Sequence, residues 1–312
     1  KKYLMKSRKI ILGTRGSKLA LFQTNLVLKK LQDLYPNYSF DLKKIVTKGD
    51  KFLNEPLESS IEKGYFVKEI QDNLIKGYID IAVHSLKDLP VDSTPKLINA
   101  AILRRADHRD SFLSINKTPF QDIKPNSIIA TSSNRRRAQI LKLNPTLKVI
   151  SIRGNIDTRL KKLDNGYCDG LVLAAAGLER LKLKNRVSNY FNEQQMLNAP
   201  GQGAIAVETR NEGAVKDIVL SLDHENTRNC VYHERLFLKT LMGGCTSPIG
   251  AYCKIENNII TLKGTVLSMN GMESITKELK IEYNSNVNIG IDLANLILNS
   301  GGDKILAETR SL

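Results

Sequence analysis

The sequence predicts an α/β protein of more than one domain. Three observations carry this. The chain has 312 residues, more than one simple core organises. Its first two-thirds alternate strand-like and helix-like segments, the pattern of sheets covered by helices. Its tail changes to period-2 strands joined by turns, the mark of a smaller α+β domain. A hydrophobic content of 41% and a charged content of 25% are ordinary for a globular chain.

The elements follow in order. RKIILGT (8–14) reads as a strand, and residues 17–34 as an amphipathic helix with Ser17 at its N-cap. FDLKKIV (40–46) is a strand, 66–77 a helix ending on a C-terminal glycine, and IDIAV (79–83) a buried strand. A drop in hydrophobicity at RRADHRD (104–110) marks a boundary. SIIAT (127–131) precedes a helix starting near Asn134, a good N-cap. KVISI (148–152) precedes a helix over 155–163, and DGLVLAA (169–175) a short helical stretch. After NAPGQGA (198–204) come a strand, a helix and a long helix at 226–241. AYCKIE, NIITLKGTVL and ESITKELKIE form the tail strands, before a helix at 287–299.

Charge and composition narrow the function. A net charge of +15, from 47 basic and 32 acidic side chains, suits an anionic partner or a lysine-coated surface. No apolar run approaches the ~20 residues that span a bilayer. KKYLMKSRK lacks the apolar stretch of a secretory signal. Cys168, Cys230, Cys245 and Cys253 form no CxxC pair, and His84, His108, His224 and His233 are scattered. That argues against a disulfide scaffold and a metal site, and for a reducing compartment.

Position is more informative than amount. GTRGS (13–17), TSSNRRR (131–137) and RGNIDTR (153–159) each sit at a strand-to-helix junction, where ligands of α/β sheets bind. Helix N-termini there present free N–H groups. Three arginines in a first helical turn oppose the helix dipole, an arrangement that an anion at the site accounts for, the alternative being a solvated face. Arginine suits bidentate carboxylate or phosphate recognition. In IAVHSLKDLP (81–90) Lys87 and Asp88 adjoin before Pro90. Two readings of Asp88 stay open: stabilising a cation that forms on a substrate, or closing an Asx-turn. In MGGCTSPIG (242–250) two glycines clear the space beside Cys245 and Pro248 stops the helix. A thiol in that setting serves as nucleophile or covalent anchor, the alternative being a buried small hydrophobe. The second description better fits Cys168 and Cys230.

These motifs together resemble the porphobilinogen deaminase (hydroxymethylbilane synthase) family. The resemblance runs from about Lys9 to the C-terminus, through GTRGSKLAL (13–21), VTKGD (46–50), KGYFVKE (63–69), DIAVHSLKDLP (80–90), TSSNRRR (131–137), RGNIDTRLKKLDNG (153–166), AAAGLERL (174–181), PGQGA (200–204) and GGCTSPIG (243–250). It implies a transferase of heme biosynthesis that joins four porphobilinogen molecules head to tail with loss of ammonia, giving hydroxymethylbilane. The chain grows on a dipyrromethane cofactor, thioether-linked to the cysteine that falls on Cys245. The family's catalytic aspartate falls on Asp88, with Lys87 and Arg15 beside it in that role. Cofactor contacts are implied for Ser85, Lys87, Asp88, Thr131, Ser133, Arg135, Arg136, Arg153, Gly154, Arg159 and Ala174. Substrate contacts are implied for Arg15, Ser17, Lys63, Arg153, Arg159, Arg180 and Gln202.

The family's fold implies three α/β domains, the first two like periplasmic-binding-protein lobes with mixed sheets. Here they would be 1–104 plus 199–221, 105–198, and a smaller 222–312 that carries Cys245. A monomer, a small-molecule substrate and no metal, nucleic acid or membrane partner are implied, in the cytoplasm or alternatively a plastid-type organelle. The chain departs from the family's pattern in SSIEKGYF (59–66), where Ser59 replaces a lysine and Ile61-Glu62 replace two glycines. Two rivals stand beside this reading. A non-catalytic anion-binding protein explains the arginines but not the cysteine loop. A nucleic-acid-binding protein explains the charge, but no helix-turn-helix or zinc signature supports it.

Overall fold

The computed structural model describes residues 9–46, 59–242, 247–283 and 288–310, with side chains in its second segment described from Val67 onward. Strand β1 (Ile10–Thr14) leads into helix α1 (Lys18–Leu34). Ser17 is its N-cap, the Oγ accepting the Ala20 N–H at 3.3 Å. After β2 (Phe40–Lys44), helix α2 (Ser59–Ile75) begins earlier than the expected 66–77 helix and stops sooner. Glu62 and Lys63 are good helix formers and carry the helix through Gly64. Gly77, at φ +76, then turns the chain toward β3 (Ile81–Ser85).

Two strands, β4 (Leu97–Ile102) and β5 (Asp110–Ser114), flank the charged stretch that the sequence marks only as a boundary. Next come β6 (Ile128–Ala130), α3 (Asn134–Leu143), β7 (Lys148–Ile150), α4 (Ile156–Asp164), β8 (Gly170–Ala174), α5 (Ala175–Arg180) and β9 (Asn189–Tyr190). The cap of α3 is Ser133, not Asn134: its Oγ accepts the Arg136 N–H at 3.4 Å. Then follow β10 (Ile205–Arg210), α6 (Ala214–Leu220), α7 (Glu225–Thr240), β11 (Ile249–Glu256), β12 (Ile259–Leu267), β13 (Ser274–Glu282) and α8 (Ile289–Ile297). A further helix, α9 (Asp303–Arg310), continues past Gly301, whose φ of 98 breaks the run.

The chain divides into two compact units. One comprises the residues up to Ala106 with Ala204–Arg228; the other comprises Asp107–Gly203 with Asn229–Leu312. In the first, a five-stranded sheet runs β2-β1-β3-β10-β4. Strand β1 pairs in parallel with β2 and β3, and β10 runs antiparallel to β3 and β4. On one face Val27 and Leu31 of α1 pack with Leu12, Ile81 and Val83. On the other, Ile70 and Leu74 of α2 pack with Ile45, Ile79 and Ala82. The alternation of side chains along β3 explains the division: Ile81 and Val83 face α1, Ala82 faces α2.

The second unit holds a sheet of the same plan, β7-β6-β8-β5-β9, with β6 parallel to β7 and β8 and β5 antiparallel to β8 and β9. Topology repeats here where the sequence shows no repeat. Beside this sheet lies the smaller antiparallel sheet β11-β12-β13, the α+β tail that the sequence predicts. Glu234 of α7, fully buried, secures it. Its carboxylate accepts the Gly201 N–H at 2.7 Å and the Cys253 N–H at 2.8 Å.

Candidate functional site

At the end of β3 the chain makes one short turn, Leu86–Asp88. Backbone bonds fix it: the Leu86 N–H donates to Ala204 O at 3.0 Å, and the Leu89 N–H to Leu86 O at 3.1 Å. Leu86 and Leu89 are buried on either side of it, so Lys87 and Asp88 are held half-buried between two apolar anchors. Among the described residues no hydrogen bond or ion pair engages the Asp88 carboxylate. The Asx-turn reading therefore does not hold. Ser85, just before the turn, is held by Gln23 of α1, whose Nε2 donates to Ser85 Oγ at 2.9 Å. Gln23 escapes the sequence reading because an amide in a helix pattern gives no sign of its partner.

The half-buried Arg15 and Ser17 lie in the same unit, at the exit of β1. Ser17 caps α1 by accepting a hydrogen bond, which leaves its own hydroxyl proton for an anion. Ser133 does the same for α3. Thr131 is buried, its Oγ1 accepting the Ser133 N–H at 3.2 Å, which likewise leaves its hydroxyl proton uncommitted.

The arginine cluster after β6 is largely turned inward. Asp110, fully buried at the start of β5, accepts from Arg135 Nη1 at 2.7 Å through Oδ2. Its Oδ1 accepts from Arg136 Nε at 3.0 Å and Nη2 at 2.7 Å. Gln202 Nε2 donates to the same Oδ1 at 3.0 Å and to His108 O at 2.8 Å. Arg135 Nη1 also reaches Leu197 O, and Arg136 Nη1 reaches Val172 O. Burial opposes ionisation of Asp110, but the two guanidiniums, with hydrogen bonds from Arg135 and Gln202, outweigh it and hold the carboxyl well below the usual range.

This corrects the sequence reading in one respect. The anion that arginines in a first helical turn require is supplied by the protein itself. Gln202 has both ends of its amide engaged within the protein, Oε1 by Arg136 Nη2 and Nε2 by His108 O and Asp110. Sequence reasoning missed Asp110. The signal was a lone carboxylate opening the apolar run DSFLS, since a charge buried in a strand demands a partner.

Arg153, Gly154 and Arg159 remain half-buried around the N-terminus of α4. Gly154 has φ +106, and a Cβ there would come within 2.7 Å of Thr158 Cγ2, so a side chain is doubly excluded. Its carbonyl accepts from Arg159 Nε at 2.8 Å, which orients that guanidinium. Ala174 ends β8. Arg180, at the end of α5, donates from Nη2 to Gly203 O at 2.7 Å. Burial draws its guanidinium down to about 10, still protonated at neutral pH.

The dipyrromethane that the sequence motifs imply carries acetate and propionate groups and needs cationic and hydroxyl donors. The residues present fit that need. Ser17 and Ser133 keep a hydroxyl proton, Arg15, Arg153 and Arg159 are half-buried cations at strand exits, and Arg135 Nε is a buried donor without an acceptor. The proposed anchor, Cys245, and the side chain of Lys63 lie outside the described residues. Cys168, Cys230 and Cys253 are buried free thiols. Burial, and then the charge of Asp169, push the Cys168 thiol up to about 11, so it is inert as a nucleophile at neutral pH.

Two family models cover most of the chain. One, described as porphobilinogen deaminase, dipyromethane cofactor binding domain, matches residues 10–216; the other, porphobilinogen deaminase, C-terminal domain, matches 228–299. A porphobilinogen deaminase of Thermus thermophilus is 43% identical over 305 residues, 97% of this chain and 100% of that protein. One of Desulfitobacterium hafniense is 43% identical over 301 residues, 96% of this chain and 97% of the relative. Among solved structures, the BenM effector binding domain with its effector benzoate is similar at a TM-score of 0.41 and 15% identity, over 71% of this chain and 90% of that one. No helix among the described residues is long and apolar enough to cross a membrane.

Proposed function

The chain belongs to the porphobilinogen deaminase family, and from that premise we propose how its residues perform the head-to-tail condensation of four porphobilinogen molecules to hydroxymethylbilane. The observation that carries the proposal is the Asp88 carboxylate: half-buried, held on a backbone-fixed turn and uncommitted to any described protein group. A fixed anion stabilises a cation best where the charge develops. Asp88 does this for the pyrrole-nitrogen cation that forms on porphobilinogen as ammonia leaves. Being hydrogen-bond-competent toward that N–H, it also assists proton transfer. Lys87 and Arg15 balance its charge and bind substrate carboxylates.

Cys245 holds the dipyrromethane by a thioether; when bound, that cofactor supplies the pyrrole end at which elongation starts. Ser85, Ser133, Arg153 and Arg159 hold its acetate and propionate groups, and Arg135 contributes its remaining Nε donor. Ser17, Lys63 and Arg180 complete the substrate carboxylate contacts through charge-assisted hydrogen bonds. Function divides among three domains: 1–104 with 199–221 carries Asp88, 105–198 carries the cofactor's carboxylate contacts, and 222–312 carries Cys245. The protein works as a cytoplasmic monomer on a small-molecule substrate. The relatives named above are bacterial, and they lend the plastid alternative no support.

The test is the intact mass of the denatured protein beside a Cys245→Ala variant, each before and after incubation with porphobilinogen. An adduct of two linked pyrroles on the first and none on the second is expected. No adduct on either, even after incubation, would leave the non-catalytic anion-binding reading in its place.

A further inference from the structure

The face of the first unit's sheet that α2 covers is not wholly apolar. Gln71 of α2 is buried there at 7% exposure. Its Oε1 accepts from Thr94 Oγ1 at 3.0 Å, and its Nε2 donates to Glu208 Oε1 at 2.9 Å. The other Glu208 oxygen lies 3.2 Å from His84 Nε2, close enough for an ion pair but without hydrogen-bond alignment. Glu208 sits on β10, and His84 on β3. Their placement relative to the catalytic turn is the point of interest. His84 precedes the turn that carries Lys87 and Asp88, and Thr94 follows it. One amide on α2 therefore reaches, directly or through Glu208, to both ends of the segment that presents Asp88.

We propose that Gln71 is a positioning residue for Asp88, clamping both ends of the 84–94 segment through the Thr94–Gln71–Glu208–His84 chain. A neutral amide suits this place. It accepts from a hydroxyl on one side and donates to a carboxylate on the other, which neither an ionised acid nor an apolar side chain of its size does. In a buried setting such bonds are strong and costly to leave unmade. Helix docking does not require them. Ile70 and Leu74 pack the helix against the sheet, and Arg210 Nη1 donates to Leu74 O at 2.7 Å and to Ile79 O at 2.9 Å. Gln71 thus links the helix that bears Lys63 to the turn that bears Asp88. The inference rests on the assignment of Asp88.

The test compares Gln71→Leu, Thr94→Val and Asp88→Asn in cofactor-loaded protein, with loading checked by intact mass. Gln71→Leu is expected to lower kcat about tenfold, with KM moved by no more than about twofold. Amide exchange should quicken in 86–94 and not in α1. Thr94→Val, which removes one bond without disturbing the helix, should act in the same direction with smaller size and an unchanged Tm. Unchanged kcat in both, or exchange raised evenly across the unit, would reduce Gln71 to a packing residue. Full kcat in Asp88→Asn would remove the premise instead. A dead Asp88→Asn beside a wild-type Gln71→Leu would remove the proposal alone.

Discussion

The exits of β3 and β6 use charge in opposite ways. Both are strand ends with ionisable residues in the next turn. After β3 an aspartate stands half-buried with no protein partner among the described residues. After β6 two arginines are buried on an aspartate that accepts four hydrogen bonds. At one exit the described residues leave the carboxylate's hydrogen-bonding capacity open; at the other they largely fill it. A charged cluster at a strand end does not by itself say how much charge is left for a ligand. The deciding quantity is how much of its hydrogen-bonding capacity the protein already fills.

The sharpest way to break this comparison is to remove the free carboxylate. Asp88→Asn is expected to lower kcat by about 10²–10⁴-fold, the scale of a lost acid–base group, while Tm stays near wild type. Asp110→Asn should invert that pattern. Breaking a buried ion cluster from one side costs about 3–5 kcal/mol, so a large drop in Tm is expected. Its pH dependence follows from sign. The folded pKa of Asp110 is depressed, so its contribution is present above the ordinary carboxyl range near ~4 and fades as pH falls below it. Thermal melts should therefore show the gap between wild type and Asp110→Asn narrowing at pH 3 relative to pH 7.

Smaller effects sharpen the same contrast. Arg153→Leu removes one half-buried charge-assisted contact, of about 1.5–3 kcal/mol. Its KM for porphobilinogen should rise roughly ten- to hundredfold, read from steady-state kinetics. Smallest of all, Cys168 should resist alkylation in the folded protein at pH 8, since a thiol near 11 is thiolate in only about one molecule in a thousand. Peptide mapping after brief treatment checks this.

Much of the fold is legible from periodicity. The α1, α4 and tail-strand patterns place their elements closely because each is amphipathic over its whole length. Strands β4 and β5 are not legible, because charged residues lie between them and mask two apolar runs. The start of α2 is hidden by Gly64 and by a motif that reads as a loop. The strand-end settings of Asp88, Arg153 and Arg159 are legible from short motifs, which mark where a strand gives way to a turn. The partners of Arg135, Arg136 and Gln202 are not, because Asp110 is remote in sequence and only the pairing of β5 with β8 brings it in. Gln23 and Gln71 are invisible for the same reason: an amide's role is set wholly by its partner.

The most direct measurement is the turnover of Asp88→Glu in protein whose intact mass shows the two-pyrrole adduct. Glutamate keeps the charge and displaces the carboxylate by about one methylene. If Asp88 acts by being fixed where the cation forms, kcat falls about 10²-fold with the adduct intact. Turnover equal to wild type in fully loaded protein would contradict the account, because a carboxylate free to move that far would not be the group the β3 turn is built to hold.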